Sequence, residues 1–186
     1  MTTTNQQNLI DAIVSDHHDV ERVFGEIEAS GDVRMKRDLV EHVIAELVRH
    51  SVAEEQYLYP TARKALPDGD EIADHEISEH AEVEEIMKEV EKTDATDAKF
   101  DQLVGKLIAE VRHHVEDEEG DLLPKLRAAC GSDELMELGK KFEQAKKMAP
   151  TRPHPAAPDR PPANKILAPG AGLIDKVRDA LSGRKV

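Results

Sequence analysis

The stretch His50-Ser51-Val52-Ala53-Glu54-Glu55-Gln56-Tyr57-Leu58-Tyr59-Pro60 returns 64 residues later as His114-Val115-Glu116-Asp117-Glu118-Glu119-Gly120-Asp121-Leu122-Leu123-Pro124. Both copies read H-x3-E-E-x2-L-x-P. Each follows a matched piece, His17-x2-Val20-Glu21-x-Val23-Phe24 before the first and His80-x2-Val83-Glu84-x-Ile86-Met87 before the second. The chain therefore uses one two-part unit twice. On a helix, residues four apart lie about one turn apart on one face. Each copy then sets an imidazole beside a carboxylate, and each upstream piece adds a lone histidine.

Hydrophobic spacing supports helices around these pieces. Ile10, Ile13, Val20, Val23, Phe24 and Ile27 recur at helical intervals, and His17 lies in their stripe. A second helix over 33–66 carries Val40, Val43, Ile44, Leu47 and Leu58 inward, with His50 and Glu54 continuing the series. Pro60 should kink or divide it. A third helix, about 71–92, has His80 on its apolar face and Glu76 one turn earlier at the edge. A fourth, about 98–129, extends its stripe through His114 and Glu118. A shorter fifth helix covers about 134–148. Turn signals at 67–70 and 93–97 separate the elements. No stretch alternates long enough to make a strand. The fold class is all-α: an up-down-up-down four-helix bundle in residues 1–148.

Seven of the ten prolines lie at or after Pro150, so 149–186 reads as an extended Pro-rich tail. Leu173, Ile174, Val177 and Leu181 suit one short amphipathic helix at its end. The formal charge is −14, and residues 150–186 carry a surplus of +4 against −18 elsewhere. The opposite signs favour a tail wrapped on the bundle. So acidic a body repels nucleic acid and anionic membranes and favours cations or small neutral ligands. A single cysteine, Cys130, excludes an internal disulfide, and the polar start lacks the features of a leader. Those features suit the cytoplasm.

A lone histidine on an apolar face is ordinarily a satisfied core residue. Here four helices each turn one histidine inward, and two add a glutamate one turn on. Buried carboxylates need cations, and no Lys or Arg occupies a matching inner position. A metal site follows. Six ligand-type side chains exceed one closed tetrahedral site, while the mixture of imidazole and carboxylate suits borderline ions such as iron. Glu55 and Glu119, the second glutamates of the repeat, read as surface residues, as do His18 and His113. Tyr57 and Tyr59 follow Glu54 closely; Tyr57 could approach the site, but a core or rim role is the commoner one. Glu110-x2-His113 matches a ferritin-like spacing once, but faces away and has no partner.

The ordered set His17, His50-x3-Glu54, His80 and His114-x3-Glu118, with its L-x-P endings, resembles the hemerythrin-like HHE cation-binding domain over about residues 9–130. The resemblance implies a non-haem centre of two iron ions, oxo- or hydroxo-bridged. His17, His50, His80 and His114 would bind through imidazole, and Glu54 and Glu118 would bridge. Oxygen-carrying members have two histidines one turn apart on the third helix. Here Glu76 takes the earlier place, as a ligand or as an acceptor that orients a histidine.

More carboxylate favours ferric iron and turns the expectation from oxygen carriage toward redox or oxidative-stress chemistry on O2, peroxide or NO. Peroxide breakdown is the enzymatic form of that expectation. A sensor that acts through an unknown protein partner, and an iron buffer, are the alternatives.

Overall fold

The computed structural model describes residues 7–182 and Arg184. Among them the elements are α1 (Leu9–Ala29), α2 (Val33–Ala65), α3 (Gly69–Lys92), α4 (Ala98–Asp117), a π-wound turn (Glu118–Leu122), α5 (Leu123–Ala129), α6 (Ser132–Met148) and α7 (Ala163–Ser182). No strand occurs among the described residues. The starts are set locally. Asn8, Asp32 and Asp97 each accept a hydrogen bond from a backbone N–H in the first turn they cap.

Helices α1 to α4 pack as successive antiparallel neighbours, with α6 laid against α1 and α2. Their apolar residues fall into two clusters. One gathers Val20, Phe24, Ile44, Leu47, Met87, Phe100 and Leu107. The other gathers Leu9, Ile13, Leu58, Tyr59, Ala73, Leu122 and Phe142. Every bundle helix crosses from one cluster to the other, and His17, His50, His80 and His114 sit at the crossing. The histidine layer is therefore clamped between two dry layers. Each fully buried aliphatic side chain contributes about 1.5–3 kcal/mol.

Pro60 lies inside a continuous α2, so of the two expected outcomes, a kink or a division, it does not bring about the division. A proline inside a helix costs about 3 kcal/mol, but Leu58, Tyr59 and Ala62 around it are fully buried. Their burial outweighs the lost hydrogen bond. The second copy of the repeat differs. The helix expected to run unbroken to Ala129 widens into the π turn at Glu118, where Leu123 N–H bonds the Glu118 carbonyl. Such turns gather at functional sites. This one sets Glu118 and Glu119 on opposite edges of the His17 ring.

The tail is more helical than its composition suggests. Residues 150–162 are turns and irregular chain, but α7 spans twenty residues and contains Pro169. Its orientation is also unexpected. Asn164, Ala168, Asp175 and Asp179 are buried, while Ile166, Leu173, Ile174 and Leu181 are exposed. The reason lies in the backbone of the preceding segment. Thr151 and Arg152 N–H groups both donate to Asp175 at 3.2 Å, and the Thr151 hydroxyl donates to Asp179. The opposite-charge expectation also finds contacts, since Arg160 pairs with Asp74 and Arg184 with Glu91.

Gly172 permits the close approach. A Cβ there would lie 2.5 Å from the Met148 carbonyl oxygen and 2.7 Å from that of Ala149. Gly172→Val is expected to lift α7 and speed proteolysis within 150–162, leaving bundle helicity unchanged. Equal cleavage rates would contradict that placement. No described helix is long and apolar enough to cross a membrane.

Candidate metal centre

The inward histidines meet in pairs. His17 Nε2 faces His50 Nε2 at 3.2 Å, and His80 Nε2 faces His114 Nε2 at 3.2 Å. That is the separation of two imidazoles sharing an ion at near-right angles with metal–nitrogen bonds of about 2.1 Å. Glu54 stands between the pairs. Its Oε1 lies 3.0 Å from His50 Nε2 and its Oε2 lies 3.4 Å from His80 Nε2. Glu118 Oε2 lies 3.5 Å from His17 Nε2.

Both oxygens of Glu54 and Oε2 of Glu118 are buried and make no hydrogen bond. Unsatisfied buried carboxylate oxygens are costly in any fold. Aimed among imidazole lone pairs, they have the donor set a cation would satisfy. Ligand-type atoms of His17, His50, Glu54 and Glu118 lie within 4.8 Å of one another. So do those of Glu54, His80 and His114, and those of Glu76, His114 and Glu118.

The outer ring nitrogens carry a second regularity. His17 Nδ1 meets Glu119 at 2.8 Å, His50 Nδ1 meets Asp16 at 3.1 Å, and His114 Nδ1 meets Glu79 at 2.9 Å. His80 Nδ1 has Glu55 at 3.5 Å. An Nδ1–H held by a carboxylate leaves the Nε2 lone pair pointing inward and makes it more basic. Glu55 and Glu119 are thus not mere surface residues: each reaches the lone histidine of the other unit. Asp16 and Glu79 precede His17 and His80, and each holds the histidine of the following helix. The repeat contained both signals, a doubled glutamate and an acid before each lone histidine. Removing one such acid, for example by Asp16→Asn, is expected to weaken metal binding about 10–100-fold, measured by competition with a chelator.

A family model for the hemerythrin HHE cation-binding domain matches residues 8–126. A hemerythrin-like protein of Schizosaccharomyces pombe is 31% identical over 172 residues, covering 92% of this chain and 85% of its own length. The chain belongs to the hemerythrin family. A second relative, a DNA nickase of Nostoc, is 28% identical over 141 residues, covering 75% of this chain but only 39% of its own length. No solved structure matches.

Within this hemerythrin-like bundle, Glu76 is buried 3.0 Å from His114 Nδ1, yet Glu79 makes the hydrogen bond there and Glu76 Oε2 makes none. Tyr59, not Tyr57, approaches the centre. Its hydroxyl lies 3.1 Å from His80 Nε2 and 3.5 Å from Glu118 Oε1. Tyr57 instead lies under the Lys165 ammonium of the tail. Tyr57 is two residues closer to Glu54 in sequence, yet Tyr59 is the fully buried one. His18 and His113 are exposed.

The charges are shared out unevenly. Burial, followed by the neighbouring His50, lowers the His17 pKa to about 4. Burial also opposes a charge on His50, but Glu54 and Asp16 outweigh it and raise that pKa to about 10. Burial, reinforced by the Glu54 charge, pushes Glu118 well above the carboxylate range. Glu54 stays ionised, because His50 and His80 overcome its burial. Metal uptake must therefore expel protons from His50 and Glu118. Loading at neutral pH is expected to release protons and to weaken as pH falls. Calorimetry in buffers of different ionisation heat measures this, and buffer-independent heats would contradict it.

Proposed function

We propose that this hemerythrin-like chain holds two iron ions and acts on O2, peroxide or NO, with peroxide breakdown as its enzymatic form. The observation carrying the reading is Glu54, which turns one unpartnered oxygen toward each imidazole pair. In this reading His17 and His50 hold one ion and His80 and His114 the other. Glu54 and Glu118 would serve both, and Glu76, whose unbonded Oε2 lies beside the outer nitrogen of His114, would stand behind that ring. Bound iron supplies Lewis acidity and a redox couple.

The chain supplies the rest. Asp16, Glu55, Glu79 and Glu119 fix the rings. Tyr59, whose pKa burial raises well above its usual value, keeps its proton and can offer it to a small ligand. A cavity of about 20 Å³ lies against the four imidazoles, walled by Val20, Leu47, Val83 and Val111. That volume suits one water or a diatomic and keeps larger molecules from the rings.

Iron-loaded protein is expected to release O2 from hydrogen peroxide. Tyr59→Phe should slow this about 100-fold, the lower end for a lost proton-transfer group, with iron content retained. Iron-loaded protein without peroxide turnover would remove the enzymatic form. A sensing reading draws support from the tail. Glu84, one turn after His80, accepts the His154 backbone N–H at 2.7 Å. It expects tail proteolysis to change with metal and oxidant, and identical cleavage would count against it. DNA nicking, named for the Nostoc relative, suits a body of this acidity poorly.

A further inference from the structure

A second, much larger cavity of about 490 Å³ lies between the bundle and the tail. Its volume falls in the range that encloses small organic molecules. The bundle side presents Val48, Val52 and Met87, and α7 presents Leu167, Ala168 and Ala171. Apolar atoms make most of the wall, and several of the polar side chains on it are already engaged. Lys88 Nζ donates to the Pro153 carbonyl, and His154 Nε2 pairs with Asp175.

Asn164 is different. It is 3% exposed, it lines this cavity, and its Oδ1 has no hydrogen-bond partner. Its amide nitrogen donates to the Asp159 carbonyl at 3.1 Å, which fixes the oxygen as the unsatisfied end. A buried carbonyl without a donor asks for one. The opposite wall holds Glu55 and His80, so an occupant would lie beside the outer edge of the imidazole layer. Mostly apolar walls, with the Asn164 carbonyl and, across from it, His80 Nδ1 as buried atoms without a hydrogen bond, select a neutral, mostly apolar molecule carrying a hydroxyl.

We propose that the chamber between α2, α3 and α7 is a binding site for such a molecule, an alkylphenol being the simplest form, with its hydroxyl donating to Asn164 Oδ1. This site is separate from the 20 Å³ space at the imidazoles and does not rest on the iron reading. The tail is then a structural wall of a ligand site.

The test uses the full-length chain as purified, with metal content recorded in the same sample, and two probes, 4-butylphenol and butylbenzene. Calorimetry or ligand-observed NMR should show saturable binding of the phenol at one site, tighter than butylbenzene by about 5–10-fold, the value of one hydrogen bond. Ala171→Trp, which fills the chamber, should abolish binding of both. Asn164→Leu should remove the preference for the phenol while butylbenzene still binds. Circular dichroism checks that each variant is folded, and the two variants act at different places on the wall. Non-saturable binding, or binding that survives Ala171→Trp, overturns the site. Unchanged preference in Asn164→Leu overturns the role of the carbonyl. A metal-free sample that binds the phenol supports the site and leaves the iron reading untouched.

Discussion

Glu118→Gln is expected to strip the protein of most of its iron while leaving the metal-free fold intact. Glu118 is fully buried, and burial together with the Glu54 charge holds it neutral when no metal is bound. A glutamine has the same shape and the same neutrality, so near pH 4.5 the metal-free stability should change by less than about 1 kcal/mol. With metal present the comparison reverses, because glutamine cannot supply a charged ligand oxygen to both imidazole pairs. Iron per chain should fall from about two to below one, the carboxylate pattern of two-metal helical bundles being broken.

The same substitution has a pH signature. A raised folded-state pKa contributes stability that is fully present below the ordinary glutamate value of 4.5 and is lost as pH rises through the folded value. The metal-free wild type should therefore lose stability relative to Glu118→Gln as pH climbs above 4.5. Urea titrations at pH 4.5 and 7.5 would show it. A variant that keeps two irons, or that fails to fold without metal, would contradict this assignment of Glu118.

The second large effect is expected from removing the metal altogether. A ligand present at 1,000 times its dissociation constant stabilises the folded state by about 4 kcal/mol. For a chain of 186 residues that corresponds to roughly 8–16 °C in thermal midpoint. Chelated protein should melt lower by about that amount and recover on adding ferrous iron. The loss has a structural origin beyond mass action, since Glu54 and Glu76 retain buried oxygens with no hydrogen bond. His50→Ala, which removes one ligand and the main countercharge of Glu54, should show a lowered midpoint that added iron cannot restore. Identical melting of loaded, chelated and His50→Ala protein would mean the polar layer satisfies itself.

Helical periodicity alone placed His17, His50, His80 and His114 on inner faces, and the structure brings their Nε2 atoms together in two pairs. Glu54 and Glu118 were legible for the same reason, being one turn beyond histidines already turned inward. What periodicity hid was the second side of each ring. Glu55 and Glu119 fall off the apolar stripe, yet a carboxylate on a long side chain can reach an Nδ1 from beside the stripe. Asp16 and Glu79 act between helices, so their place before each lone histidine marks them in the repeat without showing which ring they hold. The π turn at Glu118 was invisible because an ideal 3.6-residue period was assumed through it.

The tail failed for another reason. Its inward face is chosen by Asp175 and Asp179 bonding the chain at Thr151 and Arg152, not by apolar burial. A hydrophobicity pattern therefore pointed the wrong face at the bundle. Asn164 gave no sequence signal at all. A single asparagine beside prolines is ordinary, and only its burial without a partner for Oδ1 singles it out.

Crystals of iron-loaded protein, measured on both sides of the iron absorption edge, test the central claim directly. The account predicts two anomalous peaks, one between His17 and His50 and one between His80 and His114, with the Glu54 carboxylate lying between them. A single peak, or none at these imidazoles in protein shown to be loaded, would contradict it.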